Sequence, residues 1–148
     1  MRTIALEEHF ATPDYLDGPG RRLKERAEST GGMLARILSE LVDVGDGRVA
    51  AMDSAGVDVQ ALSLTAPGVE QLEGEEAKTV ARETNAALAK AIERHPTRFF
   101  GLASLPIADP PAAVAEMERA ADAHEPPPAV EKEPDERATG YEGPKAGL

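Results

Sequence analysis

The chain has 148 residues, of which 41% are apolar, and this is enough for one domain of ordinary size with a hydrophobic core. Its formal net charge of −11 argues against nucleic acid or an anionic membrane as the main partner. The sequence contains no Cys, which excludes disulfides, thiolate metal sites and Cys nucleophiles.

The N-terminus carries no recognisable targeting segment. Only Ile4–Leu6 is apolar before acidic residues begin, which is too short for the apolar region of a signal peptide. No stretch approaches the roughly 20 apolar residues that cross a bilayer. Together with the absence of Cys, these features predict a soluble cytoplasmic protein.

The first predicted strand lies within residues 3–10 and ends in ionisable side chains. Because side chains alternate along a strand, Glu7 and His9 are expected to point the same way as Ala5. The other face is expected to carry Ile4, Leu6 and Glu8. A carboxylate and an imidazole on one face, at the carboxyl end of a strand, can bind one divalent metal ion. The pair is also compatible with solvated groups at a loop edge.

Residues 11–32 are rich in Pro and Gly and predict a long loop, with a helical turn around residues 21–28. The apolar spacing from Met33 to Val42 predicts a helix. A second short helix is predicted over Arg48–Ala55, and Gly56 suits its C-terminal end.

The second predicted strand spans Val57–Thr65. Leu62 and Leu64 are expected to meet covering helices, while small side chains on the other face suit the interior of a barrel. Ser63 and Thr65 end the strand on that interior face. They are candidates to line a substrate pocket, and small filling residues of a barrel are the alternative.

A helix over Glu75–His95, a third strand over Arg98–Leu105 and a last helix capped by Asp109 complete the pattern. The apolar face of the last helix is predicted to carry Val114, Met117 and Ala121. Strands separated by helices of this length are parallel, so the fold class is α/β. The order fits either the first part of a (β/α)₈ barrel or half of an open doubly wound sheet.

Residues 124–148 are rich in Pro and acidic side chains and have no apolar period. The domain is therefore assigned to residues 1–123, and residues 124–148 are predicted to form a disordered tail. The composition breaks where a fourth strand is due, which suggests an N-terminal fragment with an out-of-frame tail. Reading the DNA past codon 124 in the other two frames tests this expectation.

Four segments carry a resemblance to a known family. In chain order they are Ile4–Pro13, Arg48–Val69, Ala86–Arg98 and Gly101–Pro110. They resemble the amidohydrolase-related family that contains the γ-resorcylate and other o-hydroxybenzoate decarboxylases, and more distantly the aminocarboxymuconate-semialdehyde decarboxylases.

The resemblance implies the N-terminal portion, about three β/α units, of a (β/α)₈ barrel that holds one divalent metal, Zn²⁺ or Mn²⁺. The family's Glu-x-His ligands fall on Glu7 and His9. The resemblance further implies a lyase that removes CO₂ from a small aromatic carboxylic acid. Family members take a later His and a later Asp from strands that this chain does not supply, so no measurable activity is expected from it.

Two alternatives to the lyase stay open at this point. One is a metal-dependent hydrolase of the same superfamily, although Glu-x-His in place of His-x-His makes this less favourable. The other is a non-catalytic half-barrel that forms a homo-oligomer or binds a partner.

Overall fold

The computed structural model describes residues 2–122. Three parallel strands form one sheet in the order β1-β2-β3, with β1 at Ile4–Phe10, β2 at Val59–Leu64 and β3 at Phe99–Gly101. The predicted tail, residues 124–148, lies outside the described residues. The parallel pairing and the succession of strands and helices confirm the predicted α/β organisation.

Six helices of the described residues connect and cover the strands. They are α1 (Pro13–Asp17), α2 (Arg21–Thr30), α3 (Gly32–Val42), α4 (Asp46–Ala55), α5 (Gly74–Arg94) and α6 (Pro110–Asp122). The helix predictions after residue 32 are confirmed to within two residues at each end. Gly56 ends α4 in the left-handed conformation, with φ 70° and ψ 29°, as its position predicted.

The core lies between the helices and one face of the sheet. Leu62 is fully buried and Leu64 is nearly so, and both belong to a cluster with Met52 of α4 and Leu88 of α5. The prediction that these two leucines meet covering helices is therefore confirmed. The buried cluster on this face is apolar, so the candidate polar site is sought at the edge of the sheet.

The predicted long loop over residues 11–32 is wrong, because α1 and α2 occupy most of it, whereas the helical turn predicted around residues 21–28 is confirmed within α2. The hydroxyl oxygen of Thr12 accepts a hydrogen bond of 3.1 Å from the backbone N–H of Tyr15, and Pro13 begins α1. Thr followed by Pro is a favourable helix start. Tyr15 and Leu16 are then buried in the core, so packing stabilises a helix of only five residues.

Strand β1 departs from strict alternation. Ala5 pairs with Gln60, but Glu8 pairs with Leu62, so the two residues between Ala5 and Glu8 face one residue of β2. Such an irregularity reverses the phase of the strand. Paired residues of a parallel sheet share a face, so Ala5 lies on the helix side with Gln60, contrary to the prediction.

The same irregularity corrects the expectation for two apolar residues of β1. Ile4 pairs with Val59 on the face away from the helices and is 45% exposed. Leu6, predicted to share a face with Ile4, lies within the irregularity and is 67% exposed. Within residues 2–122, this face is open at β1, whereas Val59 and Ala61 of β2 are buried on it.

Strand β3 is shorter than predicted. It ends at Gly101, and a last sheet bond runs from the N–H of Leu102 to the carbonyl of Leu62 at 2.8 Å. Beyond it, the side chain of Asn85 bonds the backbone of Ser104 in place of a neighbouring strand.

Helix α6 packs on α5 through a polar contact, and its apolar side is open. Asp109 caps the helix as predicted, because its carboxylate accepts from the N–H of Ala112 at 3.2 Å. Val114 and Met117, however, are each 50% exposed, whereas Glu116 is buried. The predicted apolar face exists, but within residues 2–122 nothing covers it.

Candidate metal centre

The carboxyl ends of parallel strands lie at one edge of the sheet, and the polar residues singled out from the sequence gather there. His9 and Ser63 are directly paired across β1 and β2. The imidazole Nδ1 of His9 lies 3.0 Å from the hydroxyl oxygen of Ser63. The Ser63 hydroxyl also lies 3.4 Å from the carbonyl oxygen of Glu8, to which it can donate. His9 is exposed, so its ring has one edge on Ser63 and the remainder open to solvent.

The two neighbouring glutamates differ in their surroundings. Glu8 pairs with Leu62 on the helix side and is half-buried, whereas Glu7 is exposed. Leu6 and Glu7 both lie opposite Ala61, and alternation back from Glu8 assigns Glu7 to the face that His9 shares with Ser63. This arrangement favours Glu7 over Glu8 as the carboxylate beside His9.

Arg48 of α4 fixes the backbone at this edge. Its guanidinium donates to the carbonyl oxygens of His9 and Glu40, both at 2.9 Å, and to that of Asp43 at 2.7 Å. Burial lowers the pKa of Arg48, and the nearby Glu8 carboxylate partly opposes the shift. Sequence reasoning assigned Arg48 no role, since a basic residue in a helix gives no sign that it will bond three carbonyls.

Thr65 lies one residue beyond β2 and is buried. Its N–H donates to the carbonyl of Phe10 at 2.9 Å. Its carbonyl accepts from the hydroxyl of Tyr15 at 3.4 Å, and that hydroxyl in turn accepts from the N–H of Gly68 at 3.0 Å. Burial raises the pKa of Tyr15, although the bond from Gly68 opposes this. The structure thus places Thr65 at the same edge as Ser63, in a more enclosed position.

The remaining polar candidates lie apart from this edge or have structural partners. His95 pairs with Asp46 at 3.3 Å and contacts the ring of Phe99 edge-on, which agrees with a role at a helix end. Asp58 accepts from the N–H of Thr3 at 2.6 Å. His124 lies outside the described residues.

The donor set suits a divalent cation only in part. A carboxylate and an imidazole are common ligands of Mn²⁺ and Zn²⁺, and His9 carries the kind of hydrogen bond on its second nitrogen that orients metal-bound histidines. Within residues 2–122, however, no group of three or more His, Cys, Asp or Glu residues could hold a metal ion. Ligation by Glu7 and His9 stays a prediction, and those residues could form part of a site but not a closed one.

Comparison with known proteins gives a consistent result. No family model matches the chain. The γ-resorcylate decarboxylase of Polaromonas sp. (strain JS666 / ATCC BAA-500) is 38% identical over 117 residues, which are 78% of this chain and 34% of that protein. The chain therefore spans about a third of the length of the curated relatives it matches.

Solved structures resemble the fold as well. The dihydroxybenzoic acid decarboxylase of Polaromonas sp. JS666, with bound manganese and 2-nitroresorcinol, has a TM-score of 0.68 at 36% identity, over 82% of this chain and 36% of that one. A 5-carboxyvanillate decarboxylase from Novosphingobium aromaticivorans, with bound manganese, has a TM-score of 0.74 at 34% identity, over 81% and 38% of the two chains.

The chain is similar to the N-terminal part of amidohydrolase-related decarboxylases, which confirms the resemblance seen in the sequence. Its α/β fold accordingly matches the first part of their barrel, rather than half of a doubly wound sheet. The metal named in the two solved relatives is manganese. Among the helices of residues 2–122, none is both long enough and apolar enough to span a membrane.

Proposed function

We propose that this chain supplies the first three β/α units of a divalent-metal-dependent, non-oxidative decarboxylase of o-hydroxybenzoate-type aromatic acids. The observation that carries the proposal is the position of Glu7 and His9 at the carboxyl end of β1, on a fold related to such decarboxylases. In a barrel of this kind, the reacting groups lie at the carboxyl ends of the strands.

Each residue of the edge has a proposed task. Glu7 and His9 hold Mn²⁺ or Zn²⁺ through a carboxylate oxygen and an imidazole nitrogen. When bound, the metal would orient the substrate and take up negative charge. Thr65 closes the edge beside Ser63, where a small aromatic acid would lie. Arg48 keeps the backbone of His9 in place through its bond to the His9 carbonyl.

The chain by itself is expected to bind metal weakly and not to turn over substrate. A catalytic site normally has three protein ligands, and residues 2–122 offer two at this edge. They also place no further acid beside His9 to protonate a ring carbon. Clear release of CO₂ from 2,6-dihydroxybenzoate by the 148-residue chain with Mn²⁺ would contradict this expectation.

Electron paramagnetic resonance of Mn²⁺ titrated with the chain tests the ligand assignment. Saturable binding is expected in the unaltered chain, with loss in Glu7→Gln and in His9→Gln. Glu8→Gln is the matched control, because Glu8 is the adjacent carboxylate on the helix side, and binding should persist. Loss in Glu8→Gln with retention in Glu7→Gln would show that the wrong glutamate was chosen.

A chimera tests the activity itself. Residues 2–122 would replace the matching N-terminal part of the Polaromonas γ-resorcylate decarboxylase, with folding verified by circular dichroism. Turnover of 2,6-dihydroxybenzoate is expected, and it should be abolished by His9→Gln within the chimera. A folded, metal-loaded chimera without turnover would count against the proposed function.

Exposed apolar side chains in and next to β1 and β3 favour a second candidate, self-association of the half-barrel. Within residues 2–122, Ile4, Leu6 and Leu102 are 45%, 67% and 54% exposed. Arg2 and Glu7 lie toward opposite ends of β1, so two copies packed antiparallel would bring opposite charges together.

Sedimentation equilibrium tests this candidate. A concentration-dependent dimer is expected, because a three-stranded face is small compared with the roughly 800 Å² per partner of a stable interface. Leu6→Lys should give a monomer. Met33→Lys, which changes an exposed apolar residue of α3 away from the sheet, should leave the dimer intact. A monomer at all concentrations would exclude this candidate.

A further inference from the structure

The contact between His9 and Ser63 limits the form of the imidazole. A serine hydroxyl has one proton to donate and lone pairs with which to accept. The proton of Ser63 can be donated to the carbonyl oxygen of Glu8, 3.4 Å away. If Ser63 donates its proton to Glu8, its oxygen can only accept from His9. The contact of 3.0 Å between that oxygen and His9 Nδ1 is then a hydrogen bond only if Nδ1 carries a proton.

We infer that Ser63 is a positioning residue for His9, holding the neutral ring in its Nδ1–H form and leaving the lone pair on Nε2 free for a divalent metal. The claim that His9 binds a divalent metal rests on the proposed function, whereas the claim about the tautomer of the ring does not. It replaces the substrate-lining role predicted for Ser63 with a role that acts through His9. Metal-bound histidines generally donate their second ring N–H to a nearby acceptor in this way, which fixes both tautomer and orientation.

The backbone holds His9 and Ser63 next to each other. His9 and Ser63 are register partners on adjacent strands, so their Cα atoms are held apart at the spacing of the sheet, about 4.8 Å. The carbonyl of His9 is bonded by Arg48 on one side, and the strand beyond is bonded to β2 through Phe10 and Thr65. Within the contact, the Ser63 hydroxyl can point to Glu8 or to His9, and these two orientations require different tautomers of His9.

Nuclear magnetic resonance of the chain labelled with ¹⁵N-histidine distinguishes these two orientations without any metal. Long-range ¹H–¹⁵N correlations, recorded at a pH above the range in which histidine is protonated, show which ring nitrogen carries the proton. His9→Gln assigns the signals of His9 among the three histidines. The Nδ1–H form is expected to dominate at His9. Dominance of the Nε2–H form, which free histidine prefers, would overturn the inference.

Variants of Ser63 give an independent measurement. Ser63→Ala should return His9 to the Nε2–H form, and Ser63→Thr, which keeps the hydroxyl, should restore Nδ1–H. Ser104→Ala changes a serine in the segment after β3 and should leave the His9 signals unchanged. An unchanged tautomer in a folded Ser63→Ala chain would count against the role of Ser63.

Mn²⁺ titration then separates this inference from the proposed function. Ser63→Ala is expected to weaken Mn²⁺ binding about 10- to 100-fold, with recovery in Ser63→Thr. If Ser63→Ala changes the tautomer but not the affinity, the positioning role is wrong. If the unaltered chain has the Nδ1–H tautomer and binds no Mn²⁺, the metal function fails, whereas control of the His9 ring by Ser63 stands.

Discussion

The side-chain amide of Asn85 bonds both backbone polar groups of Ser104. It donates to the Ser104 carbonyl at 2.9 Å and accepts from the Ser104 N–H at 2.8 Å. The same amide donates to the buried carboxylate of Glu116 at 2.8 Å. One side chain of α5 thus satisfies the segment after β3 and joins it to α6.

Replacing Asn85 should destabilise the chain strongly. Asn85→Ala leaves both Ser104 backbone groups without their side-chain partner and leaves Glu116 with Arg119 alone. The expected loss is about 2–3 kcal/mol in the free energy of unfolding. Urea unfolding followed by circular dichroism measures this. Thr79→Ala, at an exposed position of the same helix, is the control and should change stability by less than about 0.5 kcal/mol. Equal effects of the two substitutions would contradict the assignment.

Glu116 should make stability depend on acid pH. Burial tends to raise the pKa of Glu116, but the hydrogen bonds from Arg119 and Asn85 outweigh it, so the pKa is lowered below 4.5. A carboxyl with a lowered pKa in the folded state contributes stability above its unfolded pKa, and this contribution is lost as pH falls through the folded value. Unfolding of the unaltered chain should therefore become easier as pH falls below about 4.5.

Glu116→Gln isolates this contribution. It should cost about 1–3 kcal/mol near neutral pH, because a charged acceptor is lost, and much less in acid, where Glu116 is itself protonated. Urea unfolding at both pH values measures the difference. Glu118→Gln, at an exposed position of α6, should show neither the cost nor its pH dependence. A cost that is the same at both pH values would contradict the linkage.

Arg48 should resist conservative replacement. A lysine donates from a single nitrogen, whereas the planar guanidinium of arginine donates from several. Arg48→Lys therefore cannot reach the carbonyls of His9, Glu40 and Asp43 together. The expected loss is about 2 kcal/mol in the free energy of unfolding. Arg36→Lys, which alters an exposed arginine paired with Glu40, should be nearly neutral. Thermal unfolding of the two variants tests whether Arg48→Lys is the more destabilising substitution.

Tyr15 should make the stability of the chain depend on pH in the alkaline range. Its raised pKa means that the folded state favours the neutral phenol, so its contribution to stability is complete below the unfolded pKa near 10 and is lost as pH rises through the folded value. Tyr15→Phe should cost about 1 kcal/mol at neutral pH and flatten the fall in stability above about pH 10. In an absorbance titration of Tyr15→Phe, the tyrosine ionisation seen at the highest pH should be absent. If this ionisation is unchanged, the account of Tyr15 is wrong.

Much of the fold follows from local pattern. The apolar spacing of the long helix α5 and the alternation around Leu62 and Leu64 predict their elements because burial on one face dominates the energetics there. The predictions were wrong where an interaction from another part of the chain decides the outcome. Helix α1 is short and depends on the burial of Tyr15. Strand β3 ends at Gly101, and the backbone of Ser104 is bonded by Asn85 of α5 instead of by a strand.

The candidate site shows the same division. Residue types and family resemblance place Glu7 and His9 in the first strand, and the structure has both in the carboxyl-terminal part of β1, while their ligand role stays a prediction. The bond between His9 and Ser63, and the support from Arg48, join residues 54 and 39 positions apart in the chain. Spacing within one strand cannot predict such pairs, because they depend on the register between strands and on a helix end.

The extra residue in β1 has a consequence for changes in chain length. The orientation of His9 is set by its pairing with Ser63, on the carboxyl side of the irregularity, and not by counting from the N-terminus. Lengthening or shortening the chain before Ala5 should therefore leave the imidazole where it is. The irregularity cannot absorb a residue gained or lost between Glu8 and Phe10. Such a change would exchange the solvent-facing and helix-facing side chains at that end of the strand.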